Sequence, residues 1–262
     1  MTELDFPPAP PSAPASGRRI SALLVVMILV ALAGVGLTGY GVVTLFGYKS
    51  VLVPGRAMGT SVPAGTSVIY RVDATTELHR GDLIVFEASA MDSLMHGRLL
   101  KRVVGIGGDT VTCCDAQERI QVNGKPVTEP YVQADEPPLR LRPFSVVVPP
   151  DTVFVMGDLR DNSDDSRFHT ENGHSGAIPR SKVDGVVVGQ GSVFSLRTLN
   201  PTTVFVDAGL PGVSSADSTY GNARWFVAGG VALFLLGVIG VIVSAARSAG
   251  KRRRAAAVPL MR

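Results

Sequence analysis

The sequence predicts a mainly β domain held outside a membrane between two transmembrane helices. Three observations point to it. Two apolar runs, residues 20–48 and 225–246, are longer than the ~20 residues needed to cross a hydrocarbon core, and neither carries a charge. Between them lie short runs rich in Val, Ile and Phe, punctuated by Gly, Asp, Asn and Pro, which is the pattern of strands and turns. The chain is also 45% hydrophobic and only 18% charged, a balance suited to a protein partly out of water.

The elements follow in order. Residues 1–19 begin "MTELDFPPAPPSAPASG", a Pro/Ala/Ser-rich tail with too little apolar surface to order itself. The span 20–48 exceeds the 7–15-residue apolar region of a cleavable leader, so an uncleaved anchor is expected. Residues 49–197 form the β domain, with strands expected at 66–72, 81–88, 101–111, 120–127, 151–158 and 182–196. Within them "VNGKP" signals a two-residue hairpin, because Asn-Gly tolerates positive φ. No stretch outside the two spans sustains a helical period. Residues 198–224, rich in Gly, Ser, Thr and Pro, read as a connector back to the membrane. The second span is followed by a basic tail, 247–262, containing "RSAGKRRR". Arg18 and Arg19 flank the first span, and Arg247, Lys251, Arg252, Arg253 and Arg254 the second. Basic flanks stay in the cytoplasm, so both termini are expected inside and residues 49–224 outside.

The net charge of +3 resides mostly in those flanks, and no basic cluster marks a folded face, so nucleic acid is not an expected partner. His79, His96, His169 and His174 lack metal-ligand spacing, and no metal is expected. Cys113 and Cys114 are adjacent. They are either free or bridged to each other, and two thiols do not complete a zinc site.

Two segments could carry chemistry. In "GRLLKRVVGIGG", Lys101 stands inside an apolar strand. It either snorkels to water or is buried, and burial would lower its pKa toward a neutral, proton-accepting amine. The run "GDLRDNSDDSR" (157–167) crowds Arg160 and Arg167 among Asp158, Asp161, Asp164 and Asp165. It is either a solvated loop or an arginine–carboxylate knot fixing a loop beside a site.

These segments, in this order beside a membrane span, resemble bacterial signal peptidase I. "PGRAM" (54–58), "GDLIVF" (81–86), "KRVVGIGGD" (101–109) and "GDLRDNSDDSR" match the family's four boxes, and the similarity covers roughly residues 50–192. The resemblance implies a membrane-bound serine endopeptidase of the Ser–Lys type, cofactor-free, that removes signal peptides from exported preproteins at the outer face of the cytoplasmic membrane. It implies Lys101 as general base, Ser163 as the residue that orients it, and Asp165 with Arg167 as a structural ion pair. Aligned on Pro54 and Met58, the nucleophile position falls on Ala57, which has no hydroxyl to attack with. Thr60 and Ser61 are the nearest substitutes; in an extended chain Ser61 would lie ~13 Å further on. Sequence around Ala57 also drifts, with "TSV" (60–62) where the family has Pro-Thr-Leu.

Three readings follow. The chain is a signal peptidase I that cleaves by another attacker, namely Ser61, Thr60 or a lysine-activated water. Or it is a pseudoenzyme that binds signal peptides, or a membrane-protein partner such as an intact homologue, without cutting. Or it is a tethered β scaffold, which would leave Lys101 solvated and far from residue 57.

Overall fold

The computed structural model describes residues 22–72, 77–133, 143–191, 196–212 and 217–256. The expected tail 1–19, with Arg18 and Arg19, lies outside the described residues, as do residues 257–262. The chain divides into two compact units, Tyr40–Phe226 and a helical unit drawn from Met1–Gly39 and Val227–Arg262.

Tyr40–Phe226 is mainly β. Its strands among the described residues are β1 (Tyr48–Val53), β2 (Thr66–Arg71), β3 (Leu83–Glu87), β4 (Arg98–Ile106), β5 (Thr110–Cys113), β6 (Ile120–Val122), β7 (Lys125–Pro126), β8 (Phe144–Val147), β9 (Thr152–Met156), β10 (Ile178–Pro179), β11 (Val183–Gly191) and β12 (Leu196–Thr198). The larger sheet runs β1-β2-β11-β3-β4-β9-β10, with β12 added to β11; the smaller runs β7-β6-β5-β8. Every pairing is antiparallel, so each strand's alternation sets which residues face a core. The hairpin at "VNGKP" forms as expected. Asn123 (φ 53°) and Gly124 (φ 74°) make the turn, and Val122 pairs with Lys125.

The centre of the larger sheet matters most for the site. β4 pairs with β3 along Arg98–Arg102, which sets Lys101 opposite Ile84. β9 joins the other edge of β4 only from Arg102 onward. Residues 98–101 therefore leave one backbone edge without a strand partner among the described residues.

Three expectations need correction. The first helix, α1 (Ala22–Leu45), ends before residue 48, because Tyr48 enters the β1–β2 ladder opposite Arg71 and its phenol donates to Asp217 Oδ2 at 3.0 Å. Apolar composition cannot separate a helix end from an apolar strand that follows it. The stretch 198–224 is not a mere connector. It carries the short helix α2 (Val204–Asp207), and Phe205 and Leu210 are buried in a core with Val111, Phe154 and Met156. The few apolar side chains among Gly, Ser, Thr and Pro in this stretch give no sustained period to read. The last helix, α3 (Thr219–Ala256), begins six residues before the expected span. Its Tyr220 packs on Ile69 and Val188 and meets the Tyr48 ring edge-on, centroids 5.1 Å apart. The same helix runs on through the first part of the basic tail. Cys113 and Cys114 are joined in a disulfide at the end of β5.

In the helical unit, α1 and α3 are long and apolar enough to cross a membrane. They pack against each other through small residues. A Cβ placed on Gly230 would lie 2.6 Å from Thr38 N and 2.8 Å from Gly34 O, and one on Gly237 would lie 2.6 Å from Ala31 N. As one helix is followed from Ala31 to Thr38, its partner is followed back from Gly237 to Gly230, so the pair is antiparallel. Backbones approach this closely only where side chains are absent. We expect Gly230→Leu to loosen the pair, at an overpacking cost of about 1–3 kcal/mol. Cross-linking between Met27→Cys and Gly240→Cys in the micelle-embedded full chain should fall when Gly230→Leu is added. An unchanged yield would contradict the packing.

Candidate functional site

The site is built where β4 meets two loops. Lys101 is 3% exposed. It lines a cavity of about 160 Å³ with Ala57, Met58, Pro54 and the β1 residues Val51 and Leu52. Burial pushes its amine below the ordinary lysine value; Asp165 and Asp164 pull the other way without reversing it, and Arg167 adds to the lowering. The sequence left Lys101 either snorkelling or buried, and it is buried.

The next residue along β4 behaves oppositely. Arg102 is also buried but fully paired. Its guanidinium donates to both Asp158 oxygens, at 2.8 and 2.6 Å, and to Gly81 O at 2.8 Å, and it stacks 4.0 Å from the centroid of Tyr131. Alternation along the strand sends Lys101 and Arg102 to opposite faces.

The substitute hydroxyls lie on the Arg102 side. Thr60 and Ser61 line a second cavity, about 360 Å³, together with Arg102 and Tyr131. They are not among the residues that line the Lys101 cavity. The chain between 57 and 61 is not extended, as the ~13 Å spacing assumes. It winds into turns, with Gly59 N donating to Arg56 O at 2.8 Å and Ser61 N to Met58 O at 3.1 Å.

The acidic run 157–167 is the arginine–carboxylate knot. Asp165 is fully buried. Its Oδ2 accepts from Ser163 Oγ at 2.7 Å, from Gly157 N at 3.0 Å and from Arg167 Nη2 at 2.9 Å, while Oδ1 accepts from Arg167 Nε at 2.7 Å. Arg167 Nη2 also donates to Arg160 O at 2.8 Å. Ser163 thus spends its proton on Asp165, and its lone pairs are left to accept.

Gly157 sits where only glycine fits. A Cβ there would collide with Ser163 Oγ and lie 2.6 Å from Ala57 O. The same carbonyl of Ala57 accepts from Leu159 N at 3.0 Å. The loop carrying residue 57 and the loop carrying Ser163 are therefore in direct contact. Ala57, Lys101, Ser163, Asp165 and Arg167 gather on this frame; Thr60 and Ser61 face elsewhere.

Sequence reading missed a further support. Glu129 accepts from Tyr131 Oη at 2.7 Å and from Arg160 Nη2 at 2.8 Å. Burial, with the Glu129 charge next, drives the Tyr131 phenol well above its ordinary value. The signal available was "EPYV" (129–132), a polar–aromatic cluster just after a hairpin, which names no chemistry by itself.

The family model described as "Signal peptidase, peptidase S26" matches residues 19–190. Signal peptidase I of Mycobacterium tuberculosis is 40% identical over 100 residues, which cover 33% of this chain and 34% of that protein. Signal peptidase I of Leptolyngbya laminosa is 34% identical over 113 residues, covering 42% and 50%. Signal peptidase I U of Bacillus subtilis is 30% identical over 158 residues, covering 57% and 79%. The chain thus spans a third to a half of the length of the first two. A crystal structure of a signal peptidase I from Enterococcus faecalis aligns over 42% of this chain and 97% of that one, with 26% identity and a TM-score of 0.34. On a model match that covers well over half its length, the chain belongs to the signal peptidase family, peptidase S26, and within it to bacterial signal peptidase I.

Proposed function

We propose that this chain engages the signal peptides of exported preproteins in the peptide groove of a signal peptidase I, and that Ala57 withholds the hydroxyl of the Ser–Lys reaction. It would do so at the outer face of a bacterial cytoplasmic membrane, with both termini inside and residues 49–224 outside. The observation that carries the reading is the shared cavity, where a buried amine and a methyl group face one small space. A tethered scaffold would have no use for a dehydrated lysine.

The geometry suits an extended peptide. The unpartnered edge of β4 at residues 98–101 offers main-chain groups to an added strand, and the cavity of about 160 Å³ beside it admits only small side chains, as in Ala-x-Ala. In the family's route a serine hydroxyl at position 57 would give its proton to the neutral Lys101 amine while its oxygen attacks the scissile carbonyl carbon. The backbone N–H at 57 would steady the oxyanion. Lys101 would then return the proton to the departing amine, and water would hydrolyse the ester. Ser163, which donates to Asp165, can accept from Lys101 and aim its nitrogen; Asp165 and Arg167 hold Ser163 in place. With Ala57 the first bond cannot form, so the peptide is held uncut, and an intact homologue in the same cell would do the cutting.

One observation favours a second reading. Lys101 keeps the dehydrated state a base requires, so it could activate a water in the space the missing hydroxymethyl leaves. Cleavage by Thr60 or Ser61 is less well supported, since both line the cavity on the Arg102 face.

Cleavage of a fluorogenic signal peptide by the full chain in micelles separates these readings. We expect no turnover by the native chain, saturable peptide binding, and a gain on the order of 10³-fold or more in kcat with Ala57→Ser, lost again in Ala57→Ser/Lys101→Ala. Turnover by the native chain that vanishes with Lys101→Ala would establish the water route instead.

Lys101 also makes a pH prediction. Cleavage by the Ala57→Ser variant should rise with pH through the lowered Lys101 pKa and level off below the ordinary lysine value, read from kcat/KM profiles. Stability follows the same group. Between the two pKa values the unfolded chain binds the extra proton, so stability should increase as pH rises through that window. Lys101→Met should flatten this slope and raise the urea midpoint at neutral pH, because it removes an amine that is costly to bury.

A further inference from the structure

The loop that carries residue 57 is clipped in place by one side chain outside the four motifs, Gln133. Its main chain first ties it to the loop that leads to Ser163. Gln133 N donates to Asp158 O at 2.8 Å, and Arg160 N donates to Gln133 O at 3.1 Å, forming a parallel bridge with Leu159. Its side chain then reaches the other loop. Oε1 accepts from Thr60 N at 3.2 Å, and Nε2 donates to Thr60 Oγ1. One amide thus satisfies both polar groups that Thr60 presents to it, while its own backbone is anchored to Asp158 and Arg160.

The fit is close enough to dictate a neighbour. Gly59 has φ 54°, and a Cβ there would lie 2.6 Å from Gln133 Oε1. A side chain at 59 would displace the amide and break the clip. The tight turn at 56–59 and the absence of a side chain at 59 therefore belong to the same device.

The rest of the segment braces the clip. Glu129 holds Arg160, and Tyr131 lies under the guanidinium of Arg102, the residue next to Lys101 on β4. Residues 129–133 consequently touch all three pieces of the site: the base strand, the loop of residue 57 and the loop of Ser163.

We propose that Gln133 is a positioning residue. It fixes the distance and direction of position 57 relative to Lys101 by holding Thr60 three residues downstream. This deepens the reading of the site given above and rests on it where cleavage is the readout. Gln133 touches no reacting atom and does not line the Lys101 cavity, so it should act on turnover rather than on peptide affinity.

The test uses the full chain in micelles. In the Ala57→Ser background, Gln133→Ala should lower kcat by about 10–100-fold with KM within about twofold, since a misplacement near 1 Å costs on the order of 10²-fold. Gln133→Glu should recover most of the loss, because a carboxylate can accept from both Thr60 N and Thr60 Oγ1. An unchanged kcat, or a loss that Gln133→Glu does not recover, would overturn the proposal. A second readout needs no cleavage. In the native Ala57 chain, Gln133→Ala should speed hydrogen exchange in peptides containing Thr60 while leaving those from β4 unchanged. Equal exchange with and without Gln133 would reject the clip whatever the cleavage assay shows. If Ala57→Ser stays inactive while exchange at Thr60 rises, the clip stands and the reading of the site as a latent peptidase falls.

Discussion

A lysine kept dry and without an ion-pair partner among the described residues, inside a sheet whose next residue is a fully paired arginine, is the constraint that orders this domain. An ionised amine loses much of its hydration when buried and would recover it only by pairing or by giving up its proton. Lys101 is denied the first option. Asp165, the carboxylate with the largest electrostatic pull on it, already has both oxygens engaged by Ser163, Gly157 and Arg167. With those partners satisfied, its charge pulls the lysine pKa up without offsetting burial, and Arg167 adds to the lowering. The ion pair thus acts through what it withholds from Lys101 as well as through what it holds in place.

Strand alternation then partitions the chemistry. Arg102, one residue on, turns to the opposite face and is matched by Asp158 and Tyr131. A pair of cavities results, one with the dehydrated amine and one with the paired guanidinium. Hydroxyls that follow residue 57 along the chain enter the second. Proximity in sequence counts for little here, because the turns at 56–61 carry Thr60 and Ser61 away from the cavity that Ala57 lines. Thr60 and Ser61 therefore do not share a cavity with Ala57 and Lys101.

Much of this was legible in the sequence, for identifiable reasons. Lys101 stands among apolar residues of an expected strand, which left it either snorkelling or buried; the structure buries it, opposite Ile84. The run 157–167 offered the knot as one of two readings, and Asn123-Gly124 announces its turn. Less legible were contacts between residues far apart in the chain. Gln133 is 73 residues from Thr60, and no local pattern links an amide to a threonine at that distance. Phe205 and Leu210 fill a core from a stretch whose composition reads as linker. The end of α1 was misplaced for the opposite reason: Tyr48 is apolar enough to extend a membrane run, yet its phenol is held by Asp217. Local periodicity reports elements that bury one face, and it is silent about single side chains that bridge them.

The arrangement around Ala57 separates binding from chemistry in a physical sense. The main chain at 57 is held by Leu159 N on its carbonyl and crowded by Gly157, and Thr60 is held by Gln133; none of these contacts uses the side chain at 57. Exchanging a hydroxymethyl for a methyl removes one oxygen and leaves the loop's restraints intact. The unpartnered edge of β4 and the small cavity beside it are built from other residues again. A peptide groove can therefore persist when attack is lost, since the features that would hold a substrate do not depend on the atom that would cut it. The burial of Lys101 has no such independence. It carries a desolvation cost that the pull of Asp165 and Asp164 does not reverse, so the amine, more than the groove, is the part of this site that packing alone does not explain.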